Sequence, residues 1–160
     1  MVRFILFLFV LLVSLQACAQ SDSIKVESPP LKKNIVFISL GAGTEFYFVG
    51  TLVYEYIFWQ SRKAVHIAIG GQVGYSLYAV WGIGGSIINV NLLVLTGAGK
   101  HHLEITGGAN VFLNGDLKGY DPYVLSVNAG YRFQSPMGGV IFKVGTGWPE
   151  VFYIGLGYNF

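Results

Sequence analysis

From Asn34 onward, apolar residues alternate with small or polar ones at a period of two. Side chains on a strand point alternately to opposite faces, so this spacing predicts strands with one apolar face. The last ten residues show it most clearly. Phe152, Ile154, Leu156, Tyr158 and Phe160 share one face; Tyr153, Gly155, Gly157 and Asn159 share the other. Further upstream, His102, Glu104, Thr106, Gly108 and Asn110 oppose Leu103, Ile105, Gly107, Ala109 and Val111. The same contrast sets Ser126, Asn128, Gly130 and Arg132 against Leu125, Val127, Ala129 and Tyr131. Eight strands are predicted, at about 34–43, 46–58, 63–75, 84–96, 100–112, 122–133, 138–147 and 150–160.

The connections fit an up-and-down order. Gln60-Ser61-Arg62, Gly97-Ala98-Gly99 and Gln134 to Gly138 read as tight turns on one side. The other side carries Gly43 to Glu45, Ser76 to Gly85, Leu113 to Asp121 and Thr146 to Glu150. Outer-membrane barrels have short periplasmic turns and longer outer loops, so both termini are expected on the periplasmic side.

The first 33 residues do not share the alternation. Arg3, the apolar run Phe4 to Val13 and the small-x-small pair Ala17 and Ala19 predict a cleaved signal peptide over 1–19. A rival reading takes Leu15-Gln16-Ala17-Cys18 as a lipobox with Cys18 lipidated. Residues 20–33, polar and carrying Pro29-Pro30, read as a flexible periplasmic lead-in, leaving 34–160 as the barrel.

Composition decides what surrounds the barrel. The chain is 53% hydrophobic and 11% charged, against about 25% charged in an average protein. A water-facing exterior would be rich in Lys, Glu, Asp and Arg. Here the polar face is mainly Gly, Ser, Thr and Asn, which suits a narrow interior rather than the outside of a lipocalin-like barrel. Aromatic residues gather at both ends of the apolar face. Tyr54, Tyr56, Phe58, Tyr131, Phe133, Tyr158 and Phe160 stand at the periplasmic end; Phe46, Phe48, Tyr75, Tyr123 and Phe152 stand at the outer end. The expected fold is an all-β, eight-stranded antiparallel transmembrane β-barrel in a bacterial outer membrane, with lipid around it.

The inward face then holds Glu55, Glu104, Arg132 and Lys143, with His66 and His102 near the periplasmic end. Isolated charges in a low-dielectric interior are costly, so these acids and bases are expected to pair into a plug. A gated or proton-linked path is the alternative. Neighbouring strand residues point to opposite faces, so His101, His102 and Glu104 supply too few convergent ligands for a metal site. No His stands beside Asp116 or Asp121 on the outer loops, so no enzyme is expected. Neither Gly82-x-Gly84-Gly85 nor Gly107-Gly108 precedes a helix, so no phosphate-binding cofactor is expected. The net charge of +2, with scattered basic residues, points away from nucleic acid.

Three blocks carry a family resemblance: Gly97 to Glu104 running on to Gly108, Gly130-Tyr131-Arg132-Phe133, and Tyr153 to Phe160. Together they resemble a group of small bacterial outer-membrane barrels of the OmpA/OmpX-like, eight-stranded kind. The C-terminal strand ending on Phe160 is similar to the segment that barrel-insertion machinery reads, with Tyr158 and Phe160 as its aromatic positions. The resemblance implies location and fold and no activity. Function is therefore expected to be structural or interactive, around a lumen filled by side chains. Apolar Leu77, Tyr78, Val80 and Trp81 between strands three and four are the expected contact surface for another envelope protein. A narrow pore, or a carrier for a small apolar molecule, is the second reading.

Overall fold

Strands with one apolar and one polar face must dispose of their edges and choose which face turns inward. Closing the sheet on itself removes both edges. The computed structural model describes residues 29–43, 48–61, 66–80, 83–115 and 123–160. It contains β1 (Asn34–Gly43), β2 (Phe48–Gln60), β3 (His66–Val80), β4 (Ile83–Ala98), β5 (His101–Gly115), β6 (Tyr123–Gln134), β7 (Gly139–Trp148) and β8 (Glu150–Asn159). Each strand pairs antiparallel with the next, and β8 returns to β1, giving a closed eight-stranded barrel. The Phe160 amide donates to the Asn34 carbonyl at 2.9 Å and finishes that seam. No helix among the described residues is long and apolar enough to cross a membrane.

The alternation resolves with the polar face inward. Ile38, Leu52, Val73, Leu92, Leu125 and Leu156 stand exposed on the outside. Glu55, Gln72, Asn89, Thr106, Ser126 and Arg132 are buried inside. Exposed Tyr54, Tyr56, Phe58, Trp59, Tyr158 and Phe160 crowd the end where Asn34 and Phe160 meet, the terminal end; Phe48, Tyr123, Trp148 and Phe152 lie toward the other. A register shift between Ile57 and Trp59 places Phe58 and Trp59 side by side on the exterior. Two short turns at the terminal end use glycines in the left-handed region, Gly99 at φ 63° and Gly138 at φ 94°.

One expected loop is mostly strand. Ser76 to Gly85 reads as an outer loop in sequence, yet β3 runs on to Val80 and β4 begins at Ile83. The period-two alternation continues through that stretch: Ser76 and Tyr78 are buried, whereas Tyr75 and Leu77 are exposed. Tyr78 therefore points into the barrel, packed edge-on against Phe112 with ring centroids 5.7 Å apart. Trp81 lies outside the described residues, as do Cys18 and the signal-peptide segment 1–19.

The lead-in also differs where it is described. Leu31 is only 3% exposed and joins the apolar cluster of Ile35, Ile57, Leu93, Leu95 and Ile141 at the terminal end. Gln60 grips its backbone from both sides: the Leu31 amide donates to Gln60 Oε1 at 2.9 Å, and Gln60 Nε2 donates to the Leu31 carbonyl at 3.2 Å. Residues 29–31 thus carry an anchor at the base of the barrel, held by the burial of Leu31 and its two hydrogen bonds to Gln60.

Candidate functional site: a charged belt and the cavity above it

Four charged side chains from four strands meet above the apolar base. Glu55 comes from β2, Glu104 from β5, Arg132 from β6 and Lys143 from β7, all on inward positions of their strands. Arg132 is fully buried and forms the hub. Its Nη2 donates to Glu55 Oε1 at 2.7 Å, and its Nη1 donates to Glu55 Oε2 at 3.0 Å and to Glu104 Oε2 at 2.9 Å. Lys143 pairs with Glu104 Oε1 and lies 3.9 Å from Glu55 Oε2. Its ammonium also stands 4.0 Å from the centre of the Phe37 ring.

Two carboxylates and two cations leave the belt neutral. That balance matters because an unpaired ion in a dry interior costs several kcal/mol. Gln72 completes the arrangement by donating to Glu55 Oε2 at 2.8 Å. The planar guanidinium explains why arginine sits at the centre: its fork grips both oxygens of Glu55 while Nη1 also reaches Glu104, a bidentate geometry that an ammonium lacks. Belt and apolar base together occupy the lower interior.

Above the belt, toward the end away from the termini, lies a cavity of about 70 Å³. Asn89, Asn91, Thr106, Asn110, Ser126 and Asn128 supply much of its wall, with Glu104 and Lys143 beneath them and Glu150 and Tyr153 to one side. Its walls are tied by side-chain hydrogen bonds that cross strands. Thr51 meets Ser76 at 2.7 Å, Ser76 donates to Asn89 Oδ1 at 2.6 Å, and Asn89 Nδ2 donates to Asn110 Oδ1 at 2.9 Å. Ser126 donates to Asn91 Oδ1 at 2.7 Å.

The remaining candidate residues disperse. His102 is buried on the inward face opposite Arg132 in the β5–β6 register. His66 opens β3 opposite Gly97, and its side chain lies outside the described residues. His101 is on the exterior, 2.6 Å from the Tyr131 hydroxyl. Tyr158 and Phe160 both face outward near the β8–β1 seam. No group of three His, Cys, Asp or Glu able to hold a metal occurs among the described residues. Face parity in the sequence places Gln72 and the four asparagines inward, but which of them touch depends on strand register, which parity does not set.

Comparison with protein-family models, curated proteins and solved structures finds no match to this chain.

Proposed function

We propose that this chain is a non-enzymatic outer-membrane β-barrel with a structural or interaction role, its lumen closed by the charged belt and the apolar base. The observation that carries this reading is the exterior. Large apolar side chains cover it on every strand, with Leu92 66% exposed and Leu125 69% exposed. Monomeric water-soluble proteins rarely expose contiguous apolar patches beyond a few hundred Å². A lipid environment removes that cost, and closure satisfies the backbone hydrogen bonds that lipid leaves unsolvated. The aromatic residues toward the two ends fit the two interfaces.

The signal-peptide reading of 1–19 and the C-terminal aromatic strand support export and insertion by the barrel-insertion machinery. Both termini then lie in the periplasm. The belt supports a closed interior: an eight-stranded barrel is just wide enough for side chains to fill, and here they do so with paired charges rather than one sign of charge.

Heat-modifiable gel migration with β-rich circular dichroism in detergent tests the membrane part. A stable, water-soluble monomer without detergent would overturn it. Planar-bilayer recording tests the closed lumen: no steady current above background is expected, and reproducible unitary conductance would establish a pore instead.

A further inference from the structure

We propose that the cavity above the charged belt is a binding site for a small neutral polyol of about glycerol size, entering from the end opposite Asn34 and Phe160. The inference goes beyond the membrane reading and does not depend on it.

The cavity is kept hollow by a pairing of large polar residues with glycines. Asn91 lies against Gly108, and Asn128 lies against Gly147; a Cβ at either glycine would overlap the asparagine Oδ1. Tyr153 lies across Gly145, where a Cβ would stand 2.6 Å from the phenol oxygen. These side chains therefore run along the barrel wall instead of crossing the lumen. The space they leave is about 70 Å³, roughly five water positions at 10–15 Å³ each. A three-carbon chain with a hydroxyl on each carbon matches that size.

The wall also has a hydrogen-bonding direction. Ser76 gives its proton to Asn89 Oδ1, so Thr51 is the donor to Ser76. Asn89 then donates to Asn110 Oδ1, and Ser126 donates to Asn91 Oδ1. The oxygens of Asn91 and Asn110 are occupied, and their amide N–H groups remain for the cavity. Asn128 Nδ2 donates to Thr106 Oγ1 at 3.4 Å, which leaves the Thr106 proton available. Asn128 Oδ1 is buried against Gly147 without a hydrogen-bond partner, turned to the wall. The lining thus offers the Asn91 and Asn110 N–H donors and a Thr106 hydroxyl that can both donate and accept, as hydroxyl groups require.

Charge narrows the class further. The belt beneath is neutral, so it attracts neither sign of ion. Glu150 at the side of the cavity opposes an anion. Both carboxylates of the belt are already paired, which leaves a cation Glu150 alone, too few charged ligands for a cage. An apolar guest would strand the asparagine and threonine donors.

The test uses the folded chain in a detergent without a sugar headgroup and in glycerol-free buffer. Glycerol is titrated while the side-chain amide resonances of Asn91 and Asn110 are followed by NMR. A saturable shift of both is expected, with no saturable shift from acetate or benzene. Thr106→Val preserves shape and removes one hydroxyl; it should weaken glycerol binding at least threefold. Asn110→Ala should weaken it at least fivefold, and Ser39→Phe, which fills the cavity, should abolish it. Absence of a saturable shift in the unsubstituted chain overturns the proposal. So do equal shifts with acetate or benzene, or unchanged binding in Thr106→Val. The titration reads the interior, whereas membrane insertion reads the exterior, so failure of one leaves the other standing.

Discussion

Replacing Arg132 with methionine should destabilise the barrel by about 3–5 kcal/mol, the cost of breaking a buried ion pair by removing one partner. Arg132 makes three hydrogen bonds to carboxylates at 2.7, 2.9 and 3.0 Å, with no solvent exposure. Two unit charges about 4 Å apart attract by roughly 4 kcal/mol at an effective dielectric near 20, and Arg132 has two such partners. Without it, Glu55 and Glu104 share Lys143 alone, and one negative charge is left uncompensated in a closed interior. Adding Glu55→Gln restores neutrality, because the Lys143–Glu104 pair then stands by itself. The double variant should therefore lose less than the sum of the single losses, with a coupling of about 2 kcal/mol or more. Reversible urea unfolding in detergent or lipid vesicles, followed by Trp59 and Trp148 fluorescence, measures each value. A loss below about 1 kcal/mol in Arg132→Met, or strict additivity in the double variant, would refute the argument that the belt is held by mutual neutralisation.

Leu31→Ala should cost about 2–3 kcal/mol in the same unfolding assay, since the side chain seals the apolar base; an effect under 0.5 kcal/mol would show the anchor to be idle. Leu92→Lys, on the outward face of β4, should cost about 2–4 kcal/mol in a bilayer, while a water-facing site would tolerate it within about 0.5 kcal/mol. Deleting Phe160 should lower assembly yield by the insertion machinery more than it lowers the stability of folded protein, read by comparing heat-modifiable product in cells with unfolding of the purified chain; equal losses would remove the recognition role.

Strand number, face parity and the four charged belt residues are all legible in the chain, because a period of two survives wherever one face must be apolar. The stretch Ser76 to Val80 shows where such reading slips. Its apolar residues look like an exposed loop, yet their alternation simply continues β3 and carries Tyr78 inside. Leu31 escaped for the opposite reason: a lone leucine among Pro and Lys has no periodicity, and only the closed base gives it a place. The asparagine hydrogen bonds and the cavity were hidden because they depend on register. Asn89 stands opposite Asn110, and Asn91 opposite Gly108, only once β4 and β5 are aligned. Arg132 reaches Glu55 across 77 residues of sequence, a contact that exists only because the sheet closes.

If the apolar exterior faces lipid, its outward positions lie in hydrocarbon. Cysteines placed singly at Leu92 and Leu125, in a chain with Cys18 replaced by serine, can carry nitroxide labels in reconstituted bilayers. Both labels should be relaxed strongly by oxygen and weakly by a water-soluble nickel complex, as sites within hydrocarbon are. Strong relaxation by the nickel complex at both positions would place this face in water and contradict the account.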